Sequence, residues 1–366
     1  MRLYNKRRRL RNVQRAAIWI AASACMSPLS PLHAQTAAPS AQHSKLFEFH
    51  SGLWINLHHF LYMQALASVP EAGKRKPVSV SNPDSDELKN LSAEEKAIWS
   101  ASLDYYRHSM ISRDLLFDHG MEEIKNKLED SESAIETGSI AIPGDLRLVL
   151  QRAAPIYRKH WWPKHEAQNQ RWIAALNPLI QKHADSLFTT LTTIYEEPWP
   201  GNPVRVDAVV YANWAGAYTS LEPTRVTVST TDRSNQGTAA LEVIFHEASH
   251  GMMNKVIDAL NDAEQTLSSK RKNNPIEFRR DLWHEVLFYT TGELVRQRVP
   301  GYVPYADQNG LWKRAFTGSD RALIERNWKP HMNGSEELQQ SLTKLVEELA
   351  TLGPGARSGN NSPGDH

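Results

Sequence analysis

Two histidines and a glutamate stand close together in the stretch Leu241-Glu-Val-Ile-Phe-His-Glu-Ala-Ser-His-Gly-Met252, where His246, Glu247 and His250 spell H-E-x-x-H. On a helix, residues four apart share a face, so both imidazoles reach one metal ion. Glu247 is one step round and can hold and deprotonate a water beside that ion, the part of a general base in hydrolysis. The remaining stripe, Leu241, Phe245, Ala248 and Met252, is apolar at helical spacing and is expected to face a core. The competing reading is a surface helix with two solvated histidines. The run Val243-Ile-Phe245 leading straight into the motif argues for burial instead.

Catalytic zinc keeps three protein ligands and one open position, so a third donor is required. The next strong helical stretch, Asp281 to Glu293, offers His284, Glu285 and Glu293. His284, flanked by Trp283 and Leu287, is favoured; Glu285 is second, because a buried carboxylate without a cation is costly, and Glu293 third. Sequence alone does not decide between neighbours on one helix. A phenol opposite the metal is a suitable donor to a developing oxyanion, and Tyr289, Tyr302 and Tyr305 are the candidates.

The elements that must position these residues are an α+β set, mostly α-helical. Val204 to Tyr211, Ala215 to Ser220 and Thr224 to Thr230 read as three short strands preceding the motif helix. A polar turn, residues 232–237, joins the last strand to the motif. Upstream, Phe47 to Ala67 reads as a first helix with His50, Trp54, His58 and Leu61 on one face, either a cleft wall or a packed surface. Packing is the preferred account. A linker spans Val69 to Asp86. Ser92-Ala-Glu-Glu95 matches a capping box and opens a helix expected to reach about Glu129. Pro143 opens further helical sequence that runs to Tyr195. His160 and His165 within it are five apart, a poor pair for one metal, and Trp161 and Trp162 are read as packing. After the motif come a charged loop, Ser268 to Arg280, and the Asp281 helix. Helices near Gly310–Phe316 and Asp320–Trp328 follow, and a last one from Ser335 carries the stripe Leu338, Leu342, Leu345 and Leu349. A three-stranded sheet with two helices has too little core to stand alone, so the long helices of residues 45–200 are expected to wrap the catalytic residues 201–352.

Residues 1–34 read as an export signal: seven basic residues and no acid before Ala16, a short apolar run, and Leu32-His-Ala34 as a cleavage site. The apolar run is too short for a transmembrane anchor. Cys25 faintly resembles a lipoprotein site, but Ala22 stands where leucine is usual, so ordinary secretion to the periplasm or beyond is expected. Residues 35–44 read as a flexible leader and 353–366 as a disordered tail. The chain has 42 Lys+Arg against 41 Asp+Glu, and removal of the signal leaves it mildly acidic, which gives no electrostatic case for nucleic acid. Its single cysteine lies in that signal, so the mature chain has neither a disulfide nor a cysteine metal site.

At H-E-x-x-H the chain resembles the zincin metallopeptidases, and over residues 204–297 it looks most like the gluzincin branch, with a small sheet, a motif helix and a downstream ligand helix. The metzincin spacing is absent, since Gly251 is followed by Met252-Met-Asn-Lys-Val-Ile257 with no histidine. His284 beside Glu285 departs from the gluzincin pattern, whose third ligand is a glutamate. The resemblance implies a zinc-bound water attacking an amide carbonyl of a peptide or protein substrate, with Glu247 relaying the proton. Two rivals stand beside this expectation: a periplasmic amidase of cell-wall peptide using the same site, and a secreted binding protein with a structural metal or none.

Overall fold

In the computed structural model the described residues are 46–69, 81–134, 136–270, 281–316 and 320–352. The expected signal, leader and tail, residues 70–80 of the expected linker and residues 271–280 of the expected charged loop lie outside them.

Four strands form one sheet in the order β1 (Phe47–His50), β2 (Val204–Val209), β4 (Thr224–Ser229), β3 (Ala217–Leu221). β1 and β4 run parallel to β2, while β3 is antiparallel to β4 through a hairpin that closes with Leu221 opposite Thr224. The fourth strand corrects the sequence reading, which placed Phe47–His50 in a helix. Phe47, Glu48, Phe49 and His50 instead pair with Val204 to Asp207, and Leu46 accepts the Val204 N–H at 2.8 Å. The helix begins only after Gly52, whose extended backbone separates the two elements. Four residues are too few for period 2 and period 3.6 to be told apart.

Helices make up the rest: α1 (Leu53–Ala67), α2 (Asn82–Asp86), α3 (Ala93–Ser109), α4 (His119–Asp130), α5 (Gly144–His160) and α6 (Trp162–Tyr195) before the sheet is completed. α7 (Thr238–Ser249), α8 (Asn254–Lys270), α9 (Leu282–Arg298), α10 (Tyr305–Gln308), α11 (Leu311–Arg314), α12 (Asp320–Met332) and α13 (Leu338–Leu349) follow it. The protein is thus α+β and mostly helical. Among the described residues no helix is long and apolar enough to cross a membrane.

The sheet separates two cores. Val204, Val206, Ala208, Val226 and Val228 pack towards α6, α7, α8, α9, α12 and α13. Residues of α1, α3, α4 and α5 form the second core with Val209, Val210, Tyr211 and Tyr218. α1 is buried from Leu53 to Ala65, Asn56, His58, His59 and Gln64 included, so it is enclosed on every side instead of along one stripe. His50, Trp54 and His58 are accordingly packing residues. His50 meets Glu132 at 3.0 Å, the Trp54 indole donates to the Ala134 carbonyl at 2.8 Å, and His58 pairs with the Tyr106 hydroxyl at 2.7 Å. His160 pairs with Glu87 and Glu95, His165 with Tyr157 and Asp84, and Trp161 stacks on Trp99 at 4.5 Å.

The capping box at Ser92 forms as expected, with Glu95 N–H donating to the Ser92 hydroxyl and Ser92 N–H to the Glu95 carboxylate. The helix it opens stops at Ser109, short of Glu129. Asp114 captures the N–H groups of Leu116 and Phe117, and Asp118 then caps α4 through Met121 N–H. Short acidic side chains compete here with helical hydrogen bonding, and two helices result from one periodic stretch.

On the second core's side, β2 and β4 present Arg205, Asp207, Arg225 and Thr227 to α4. Lys125 and Glu129, both fully buried, sit 3.3 Å apart, and Lys125 also donates to Ser220 at 2.8 Å. Burial, with Asp207 nearby, pushes Glu129 up to about 7 against the pull of Lys125, Arg205 and Arg225. Lys125→Met would strip this carboxyl of its nearest cation. The expected loss is about 3 kcal/mol, the low end for breaking a buried pair, because Glu129 can respond by taking up a proton. Urea denaturation measures it; a change below about 1 kcal/mol would show that Arg225, 3.5 Å from Glu129, suffices alone.

Candidate metal centre

α7 carries the motif and is buried from Ala239 to Ser249 on every face, which exceeds the single apolar stripe expected. Phe245 alone shows the depth. It is wholly inaccessible, its ring meets Phe47 edge-on at 5.1 Å, and such burial stabilises by about 1.5–3 kcal/mol. The α-helix ends at Ser249 and a tighter turn, His250–Met252, continues it, yet His250 keeps helical dihedrals and so stays on the face of His246.

α9 lies against α7. Phe288 stands over His246, their rings 4.0 Å apart, and His284 stands 5.1 Å from His250 and 5.2 Å from His246. Farther back, Gly292 faces Glu242 so closely that a Cβ there would come within 3.1 Å of its carboxylate. As numbers rise along α7 they fall along α9, so the pair is antiparallel. A side chain at 292 would press on the Glu242 carboxylate and, at 2.8 Å, on Pro304.

The result is a three-imidazole cluster, His246, His250 and His284, in which one ring nitrogen from each lies within 4.8 Å of the other two. It is the one group of three or more such donors close enough to share an ion among the described residues. The Nε2 atoms of His246 and His284 are 3.2 Å apart. Two nitrogens on a tetrahedral zinc at ordinary bond lengths lie about 3.3 Å apart, so the spacing suits a shared ion. Burial first, then His250 and His284, hold His246 well below the ordinary imidazole value; burial and His284 do the same to His250. Neutral rings present the lone pairs that a cation needs. The donor set therefore fits zinc in number, kind and spacing.

Glu247 lies on the rim of this cluster, 3.8 Å from His250 Nε2. The Thr219 hydroxyl, on β3, lies 2.7 Å from the Glu247 carboxylate and 2.9 Å from its carbonyl oxygen, tying the sheet to the motif. Burial pushes the Glu247 carboxyl up to about 7, with Thr219 pulling the other way.

The other candidates disperse. Glu285 is fully buried, but a neighbour of His284 on a helix points about 100° away, and it does not join the cluster. Glu293 is engaged by Arg296 and stands 4.0 Å from Lys329. Tyr289 follows His284 by five residues, about 140° round the helix, and lines a small cavity with Glu293, Trp312 and Arg321. Tyr302 donates its hydroxyl to Glu242 at 2.7 Å. Tyr305 is nearest in character to the role expected of it. Its ring stacks on Phe288 at 6.2 Å, and burial together with Asp232 and Glu247 pushes its phenol up to about 12. Sequence reasoning missed Thr219, Phe288 and Glu242. Of these Glu242 alone left a signal, an acid inside the apolar run that leads into the motif.

Compared with known proteins, the chain matches no family model, no curated protein and no solved structure.

Gly251 follows the last motif histidine and is pressed against the loop before β2. A Cβ there would come within 2.5 Å of Pro200 and 2.6 Å of Thr224. Gly251→Ala is expected to cost about 1–3 kcal/mol through overpacking and to shift His250 with it. Thermal unfolding checks the first effect, and metal content per chain the second. An unchanged melting temperature would mean that the Pro200 loop yields freely.

Proposed function

We propose that this chain is a zinc-dependent hydrolase that cleaves an amide bond in a peptide or protein substrate. The observation that carries the reading is the convergence of three imidazoles from two helices, with one carboxylate on their rim. A structural zinc site is closed by four protein ligands, whereas three leave a position for chemistry.

In this reading His246, His250 and His284 hold the ion. Zinc supplies Lewis acidity, which polarises a carbonyl and lets water give up a proton near neutrality. Glu247 accepts that proton and returns it to the departing amine. In the metal-free chain burial pushes the Glu247 carboxyl up, which makes it a stronger proton acceptor than an exposed glutamate. Thr219 fixes one oxygen of Glu247 and so the direction in which the other can act. Tyr305, near Glu247, is the phenol proposed to donate to the oxyanion as it develops. The basic and apolar segment at residues 1–34 supports a site of action outside the cytoplasm.

Two measurements test the reading. Purified protein should carry about one zinc per chain, as metal analysis reads it, and His246→Ala and His284→Ala should both lose it. Loss with His246→Ala alone would remove His284 from the ligand set, and a wild type that takes up no zinc would end the hydrolase reading. Glu247→Gln should keep its zinc and lose hydrolysis by at least about two orders of magnitude on whichever substrate, short peptide, folded protein or cell-wall peptide, the wild type cleaves. Full activity in that variant would make the proposed base wrong.

A further inference from the structure

One buried carboxylate near the centre has no part in the chemistry above. Glu242 lies one helical turn before His246 and is about 1% exposed. Its Oε2 accepts two hydrogen bonds, from the Tyr302 hydroxyl at 2.7 Å and from the Tyr305 backbone N–H at 2.9 Å. Both donors belong to the segment that leaves α9 and enters α10, and that segment brings Tyr305 onto Phe288, the ring covering His246. Its Oε1 is buried and has no hydrogen-bond partner among the described residues. A bare buried carboxylate oxygen is costly, and folding alone gives no reason to keep it, since glutamine at 242 could accept the same two bonds at lower cost.

A second orphan lies one turn further on. Nδ1 of His246 is also buried without a partner among the described residues, while its Nε2 faces His284. Side chains of a helix lean towards its N-terminus, so the ring of His246 lies over the turn that holds Glu242. When Nε2 gives its lone pair to a metal, Nδ1 carries the proton and needs an acceptor. Metal-bound histidines nearly always find one in a carboxylate or a carbonyl, which fixes the tautomer and strengthens the ligand.

We infer that Glu242 is a positioning residue of the metal centre: one oxygen pins the segment that carries Tyr305, and the other is reserved for Nδ1 of His246. This inference rests on the proposed metal site but concerns a residue that the motif does not include. Gly292 serves the same arrangement, because a side chain there would meet Glu242 and Pro304 together.

The test is zinc affinity, read by competition with a chromophoric chelator, alongside thermal unfolding of the metal-free protein. Glu242→Gln should bind zinc about 10–100-fold more weakly, the usual effect of removing such a partner, while the metal-free form stays at least as stable as wild type. Tyr302→Phe touches only the pinned oxygen and should leave zinc affinity within about threefold. Wild-type affinity in Glu242→Gln overturns the inference, as does an equal loss in Tyr302→Phe. A wild type that binds no zinc brings down the metal reading itself, a different outcome from either. If Glu242→Gln does not fold, ring N–H NMR of the zinc-loaded wild type decides. A slowly exchanging, strongly deshielded Nδ1 proton on His246 supports the assignment, and its absence overturns it.

Discussion

Imidazoles crowded nitrogen to nitrogen between two helices repel one another once protonated, and the packing of α7 against α9 answers that constraint. Two protonated rings at 3.2 Å would repel each other with nothing between them to screen the charge. Burial of His246 and His250 holds both below the ordinary imidazole value. α7 is buried on every side instead of along a stripe, and Phe288 and Trp283 close over the rings. Burial likewise lifts Glu247 towards neutrality, opposed by the Thr219 hydroxyl. One buried interface thus shifts His246 and His250 down and Glu247 up, in opposite directions on the pH scale.

The sheet divides labour between its faces. The face towards α7 is aliphatic, and its valines give the motif helix a firm, featureless bed. The opposite face carries Arg205, Asp207, Arg225 and Thr227 beneath α4, a layer of charges and hydrogen bonds sealed from solvent. Ionic layers of this kind contribute little net stability compared with apolar packing, but they tolerate few alternative registers. β3 connects the two regimes: Tyr218 joins the second core, and Thr219 beside it holds Glu247. A strand's alternation lets neighbouring residues serve opposite sides of the sheet.

Much of this was legible in the chain. The motif, its helix, the preceding strands and the helix bearing His284 could all be read from periodicity and spacing, because each is a local pattern. What could not be read was whatever depends on distant partners. β1 is four residues long and acquires its identity by pairing with residues more than 150 positions later. Whether His284, Glu285 or Glu293 turns inward is set by the rotation of α9 against α7, to which Gly292 and Phe288 contribute and no local pattern does. The partner of Tyr302 is likewise distant in sequence, since only the fold reveals that its hydroxyl meets Glu242. The break between α3 and α4 was missed for a local reason, the competition of Asp114 and Asp118 for backbone N–H groups.

That long-range pairing of β1 also bears on how the chain reaches this state. A strand near the start must wait, unpaired, until some 150 residues more have been made and brought back to it, since Phe47 lies opposite Val204. Contacts of such large sequence separation carry a loop-closure penalty before they return any stability, and they slow folding. Meanwhile Phe47 and Phe49 and the apolar α1 behind them present an uncovered edge and a sticky helix, the kind of surface on which nascent chains aggregate or chaperones bind. The order of events is therefore constrained: the helices of residues 93–195 can form locally, but the sheet gains its β1 edge only once β2 has been made and brought back to it.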